Sequence, residues 1–170
     1  MARMTDRDWN SIKWFGREDV KSWEFLEGGL LSRVNMMAGI LLARPVFLST
    51  YRDPEHNQKV GGAKDSWHVK GGAADVTFPG KTLEEMYKAA VDSGFLGIGI
   101  YPDNNFVHVD VRSKAGTWAR IKGAYQSLAV GWDYLKKKGA TVGIGGAVIV
   151  TLGIGIFLMT KRRRRRGRSR

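Results

Sequence analysis

Residues 139–160 run for 22 positions without a charged side chain, between Lys136, Lys137 and Lys138 on one side and a strongly basic tail on the other. As a helix rising about 1.5 Å per residue the run would span about 33 Å, and a bilayer core is about 30 Å thick. The run therefore divides the chain. Whatever folds in water must be built from the residues before it, and the run itself reads as one transmembrane helix. A buried soluble helix or a glycine-rich loop is the competing reading. Glycine weakens a helix in water but is tolerated in membrane helices, which favours the span. Gly139, Gly143, Ala147, Thr151 and Gly155 fall four apart. One face is thus lined by small residues, a pattern that permits self-association of the membrane helix.

Charge follows the same division. The chain carries 28 Lys+Arg against 16 Asp+Glu, for a formal +12. Eight of the basic residues lie in 161–170, none of the acidic ones follows Asp133, and residues 1–135 carry only +1. A body so near neutrality argues against a DNA-reading face spread across the whole domain. The tail reads as a topology signal, with DNA phosphates or anionic lipid headgroups as alternative ligands for residues 161–170. Its eight basic residues outweigh the three lysines before the run, which places the tail inside and the N-terminal body outside the cytoplasm. Residues 1–6 show no apolar stretch of the kind a secretory signal needs, so another export route is expected. The last helix could act as a late anchor, or the protein could arrive in an assembled membrane such as that of a virion. The chain has no cysteine, which excludes disulfides, thiolate metal ligands and cysteine nucleophiles.

The body reads as α+β, a small antiparallel sheet with packed helices. Residues 1–29 are aromatic-rich without a clean period and suggest short helical turns that cap a core. Apolar residues at 30, 31, 34, 37, 38, 41 and 42 mark a helix, stopped before Pro45. Strands are expected at 46–48, 73–78, 95–101 and 106–112, the last two joined by a hairpin turn at 102–105. Residues 51–65 read as a polar loop. Thr82 and Glu85 form a capping box that opens a helix running to about Ser93. Ile121, Tyr125, Leu128, Trp132 and Leu135 are spaced for an amphipathic helix. The expected organisation is a body over 1–120, a connecting helix over 121–138, a membrane helix over 139–160 and a polybasic tail over 161–170.

The chemistry is concentrated around two of the three histidines. In Phe106-Val107-His108-Val109-Asp110 strict alternation puts His108 and Asp110 on one strand face and the valines on the other. Imidazole and carboxylate are zinc ligands, and a catalytic zinc site needs three protein ligands with one position open. Spacing alone leaves a metal site and ordinary satisfied histidines both open. Ser66 to Asp75, however, fits S-x-H-x-x-G-x-A-x-D at every specified position. With the second block, and with Ser49-Thr50-Tyr51-Arg52 and Val60-Gly61-Gly62-Ala63, it resembles the M15 zinc peptidases over about residues 10–120. These are D-Ala-D-Ala carboxypeptidases and phage L-alanyl-D-glutamate endopeptidases acting on bacterial peptidoglycan. The resemblance implies a hedgehog/DD-peptidase-like fold, Zn2+ as cofactor with His68, Asp75 and His108 as its ligands, and peptidoglycan stem peptides as substrate. It matches Arg52 to an arginine that holds a substrate carboxylate or carbonyl oxygen, against the plainer reading of a loop ion pair with Asp53 or Glu55. His56 matches nothing and reads as solvated. Many members carry a carboxylate base three residues before the second histidine, where this chain has Asn105. Asp110 is the first replacement, with a role in orienting a ligand as its alternative, and Asp103 is the second. A metal-bearing wall-binding or partner-binding module without catalysis is the alternative function.

If residues 139–160 span a bilayer, the full chain will stay with membranes through an alkaline carbonate wash, and deleting the run will release it. Release of the intact chain by the wash would exclude a span.

Overall fold

The computed structural model describes residues 3–140. Over this range the chain forms helices α1 (Asp6–Trp9), α2 (Gly28–Leu41), α3 (Pro54–Lys59), α4 (Trp67–Lys70), α5 (Leu83–Asp92) and α6 (Leu128–Ala140). Strands β1 (Val46–Ser49), β2 (Ala73–Thr77), β3 (Gly97–Tyr101), β4 (Phe106–Asp110), β5 (Gly116–Ile121) and β6 (Ala124–Gln126) make one sheet in the order β1-β2-β4-β3-β5-β6. The class is α+β, but the sheet is mixed rather than purely antiparallel, because β3 pairs with β5 in parallel.

The long apolar stripe folds as expected. Leu30, Leu31, Val34, Met37, Ala38 and Leu41 of α2 are buried in one core with Leu83, Met86, Ala89 and Ala90 of α5. That layer covers the sheet face carrying Val76, Val107, Val109, Ile98, Ile100 and Ala119. The capping box at Thr82 and Glu85 is formed, with both Thr82 N–H and the Glu85 N–H satisfied by side chains. The N-terminal residues make α1 and two 3-10 turns, as their composition suggested. Trp9 stands edge-on to both Phe15 and Trp23 there.

Two further expectations need correction. Residues 51–65 are not all loop, since Asp53 caps α3 by accepting from His56 N–H and Pro54 takes its first position. Proline is a good first residue of a helix because the N–H it lacks would have no partner there. The connecting helix does not begin at 121. Ile121 ends β5, Lys122 and Gly123 both take positive φ (49° and 82°), and the chain returns as β6. Two consecutive left-handed residues make the tight hairpin turn whose twist suits paired strands, and a helix cannot pass through them. The helix is α6, which lies against the sheet with Gly131 close to Ala119 and Ile100, and Trp132 edge-on to Tyr87 at 5.5 Å.

No helix among the described residues is long and apolar enough to cross a membrane. Beyond Ala140, the run expected to span the bilayer, its small-residue face and the polybasic tail at 161–170 lie outside the described residues.

The other face of the sheet is shaped by missing side chains. A Cβ on Gly97 would run into the Asp110 carboxylate, and one on Gly99 would meet the Trp118 indole. Gly97→Ala is therefore expected to destabilise the body by about 1–3 kcal/mol through overpacking. Gly29→Ala, on α2 with nothing within 4 Å of the added carbon, should be neutral or stabilising. Urea titration of both variants checks the contrast.

Candidate metal centre

Register assembles the centre before any side chain is considered. Asp75 on β2 pairs with His108 on β4, which pairs with Gly99 on β3, which pairs with Trp118 on β5. One row across four strands thus presents a carboxylate, an imidazole, a gap and an indole on the same face. The indole leans into the space left by Gly99 and lies 5.2 Å from the His108 ring, centroid to centroid.

His68 arrives from outside the sheet. Ser66 caps α4, its hydroxyl accepting from His68 N–H, and Gly71 ends the helix at φ 79°. Only glycine fits there, since a Cβ on Gly71 would collide with the Phe25 carbonyl. Four residues of the motif are thereby explained: Ser66 starts the turn, His68 rides on it, Gly71 ends it, and Asp75 follows on β2. His68 Nδ1 donates to the Thr50 carbonyl at 2.6 Å. That bond leaves the lone pair on Nε2, which points at the other two groups.

His68 Nε2 lies 3.1 Å from His108 Nδ1 and 3.3 Å from Asp75 Oδ1, and His108 Nδ1 lies 2.9 Å from Asp75 Oδ1. All three residues are buried, and among the described residues they are the group of His and carboxylate side chains placed to hold a metal ion. Ligands about 2.0–2.1 Å from a tetrahedral zinc stand roughly 3.3 Å apart, so the donor set and its spacing fit that ion. A metal-bound histidine usually donates its other nitrogen to a carbonyl or carboxylate. Thr50 does this for His68, and Asp110 for His108, with His108 Nε2 at 3.1 Å from Asp110 Oδ2.

The remaining predicted residues divide. Arg52 is at the centre, with Nη2 2.6 Å from Asp75 Oδ2 and Nε donating to Ser49 Oγ at 2.8 Å. Its partner is Asp75, not Asp53 or Glu55. Asp110 is on the expected face but behind the His108 ring, on the edge away from Nδ1, and both its oxygens are held by Arg112. This geometry matches the alternative expectation, a carboxylate bonded to the far edge of His108, rather than a group facing the three-residue cluster. Asp103 is away from the cluster. It sits in the hairpin turn, accepting from Lys122 N–H at 2.7 Å and from the Tyr134 hydroxyl at 2.8 Å, and so ties the β3–β4 turn to the β5–β6 turn and α6. His56 is exposed on α3.

Electrostatics match this layout. Burial raises the Asp75 carboxyl, but the neighbouring His108 and His68 rings outweigh it and hold the group well below the usual carboxylate range. Asp110 is likewise penalised by burial, yet its bonds to His108 and Arg112 bring it down to about 2. Burial lowers His108, while Asp110 and Asp75 raise it further, so the net shift is upward.

Arg112, Trp118 and Thr50 were not singled out from the sequence. Arg112 continues the alternation of 106, 108 and 110, which was a usable signal. Trp118 had one too, since residues 116–121 alternate and are followed by Lys-Gly. Thr50 contributes only its backbone carbonyl and has no signature in residue type.

Comparison with known proteins agrees with the site. Residues 29–110 match the Peptidase M15 family, a stretch that contains His68, Asp75 and His108. The chain is 37% identical over 92 residues to the peptidoglycan L,D-endopeptidase MepK of Escherichia coli K12, covering 50% of each protein. It is 39% identical over 64 residues to the probable peptidoglycan L,D-endopeptidase MepK of Haemophilus influenzae, covering 38% of this chain and 34% of that protein. The chain spans half or less of the length of these relatives.

Because Asp110 titrates lower in the folded state than its unfolded value of about 3.9, its share of stability is complete above that value. It is lost as pH falls through about 2. Denaturant titration between pH 5 and pH 2 should show a steep fall in wild-type stability that is flatter in Asp110→Asn. Equal slopes would contradict the assignment.

Proposed function

We propose that this chain is a zinc-dependent peptidase that hydrolyses peptide bonds in bacterial peptidoglycan stem peptides, with zinc held by His68 Nε2, Asp75 Oδ1 and His108 Nδ1. The observation that carries the reading is the convergence of these three atoms within 3.3 Å of one another, inside the stretch that matches the M15 family. The hedgehog/DD-peptidase-like arrangement is part of the same reading. It is supported by the site lying on one sheet face while α2 and α5 pack on the other.

A zinc ion held by His68, Asp75 and His108 would supply Lewis acidity toward a scissile carbonyl and would acidify a water molecule. The protein's own groups supply the rest. Thr50 and Asp110 keep one lone pair of each histidine aimed inward. Arg52, bonded through Nη2 to Asp75, offers a planar guanidinium beside the metal position, suited to a substrate carboxylate or carbonyl oxygen. The base is the open part of the machinery. Position 105 is an amide, Asp110 is locked to Arg112, and Asp103 is locked to Lys122 and Tyr134. Those engagements favour a second reading, a metal-bearing module that binds wall peptides without cutting them.

The cellular setting extends the proposal. Residues 139–160 would anchor the body on the non-cytoplasmic side of a membrane, beside the wall, in a lytic protein of a phage or bacterium, with a virion membrane as one location. The uncharged run and the basic residues on either side of it support this. Self-association of that helix, and contact of residues 161–170 with DNA or anionic lipid, belong to the same proposal.

The test is muropeptide analysis with zinc-loaded full-length protein in detergent. Cleaved stem peptides from wild type, and none from His68→Ala, are expected. Cleavage by Asn105→Glu alone would establish the binding module instead. Intact peptides with all three proteins would remove the peptidase reading.

A further inference from the structure

The His108 imidazole is gripped on the edge that faces away from Asp75. Its Nε2 lies 3.1 Å from Asp110 Oδ2, and Asp110 is completely buried. Arg112 closes on that carboxylate with both arms of its fork, Nε to Oδ1 at 2.7 Å and Nη2 to Oδ2 at 2.6 Å, and with its backbone N–H to Oδ1 at 3.1 Å. The same guanidinium stands over the Trp118 indole, 5.1 Å from the ring centre. The indole in turn lies tilted at 49° against the His108 ring, 5.2 Å away. Four side chains therefore close a ring, from His108 through Asp110, Arg112 and Trp118 back to His108. Gly97 and Gly99 leave the space it occupies.

Such a ring constrains two degrees of freedom that a metal ligand must not keep. An imidazole can flip its plane and can carry its N–H on either nitrogen. A carboxylate fixed at Nε2 accepts the N–H there and leaves the lone pair on Nδ1, the atom that faces Asp75 and His68. Asp110 alone could rotate about its side-chain bonds. A bidentate guanidinium removes that rotation, because its planar fork fits the carboxylate in one orientation. The indole blocks the flip by occupying one face of the ring.

We propose that Arg112, braced by Trp118, is a positioning residue that sets the ring angle and N–H tautomer of His108 so that Nδ1 is the metal-facing atom. The inference rests on the metal site put forward under Proposed function and assigns part of its affinity to a residue that does not touch the ion.

Two variants of the full-length protein in detergent separate the contributions. Arg112→Met keeps an apolar stem over Trp118 and loses the fork. Arg112→Lys keeps a charge near Asp110 but cannot bind it in two-pronged fashion. Zinc affinity is measured by competition with a chromophoric chelator, and the ligand field by the visible spectrum of the cobalt(II) form. Arg112→Met should weaken zinc binding by about 10–100-fold and alter the cobalt spectrum, with Arg112→Lys between it and wild type. Circular dichroism melts confirm that the compared proteins are folded, and if Arg112→Met does not fold, Arg112→Lys decides. Affinities within about twofold of wild type and an unchanged cobalt spectrum overturn the positioning role alone. A wild-type protein that binds no zinc overturns the metal site and this inference together.

Discussion

Asp75 and His108 face each other across two neighbouring antiparallel strands, and most of the architecture serves to hold that pairing. Side chains alternate along a strand, so a slip of one residue between β2 and β4 would bring a valine to the site and turn His108 into the core. The valines guard against it. Val76, Val107 and Val109 are fully buried beneath the pair, against α2 and α5. Removing them from water stabilises the register as well as the fold, at about 25 cal/mol per Å2 of apolar area. The apolar layer thus fixes the geometry of the polar one.

Two buried carboxylates so close to each other would be costly without compensation, and each has its own arginine. Arg52 meets Asp75 from the β1 side, and Arg112 meets Asp110 from the far end of β4. Buried charges survive when they are paired and hydrogen-bonded, and removing one partner costs far more than the pair contributes. The pairs also divide the labour around the histidines. Asp75 faces the point where the three donor atoms meet, while Asp110 is turned away and contacts the opposite edge of His108.

The main helices, four strands and the N-terminal cap could be read from spacing, because each is a local pattern of apolar residues bounded by Pro, Gly or a capping box. The three residues that cluster, His68, Asp75 and His108, were legible through the Ser66–Asp75 motif and the Val-flanked His108, where local geometry and chemistry coincide. The failures have different causes. Residues 121 and 125 have helical spacing to Leu128 and Trp132, but Lys122 and Gly123 adopt left-handed conformations that no apolar spacing reports. Pro54 reads as a breaker when it is the opening residue of α3. The parallel pairing of β5 with β3 brings together residues 97–100 and 116–119, a contact between distant segments with no counterpart in local sequence.

By itself the sequence determined which residues are candidates to bind a metal, that the body is almost neutral, and that the charge and the long uncharged run belong to one end of the chain. These follow from residue identity and from order along the chain. The tertiary structure decided where each carboxylate stands and what it contacts. Asp103, Asp110 and Asp75 are chemically equal as text. Only the fold ties Asp103 to a neighbouring turn, locks Asp110 behind a histidine and leaves Asp75 facing the centre, because those roles depend on which groups lie within 3 Å across strands far apart in sequence.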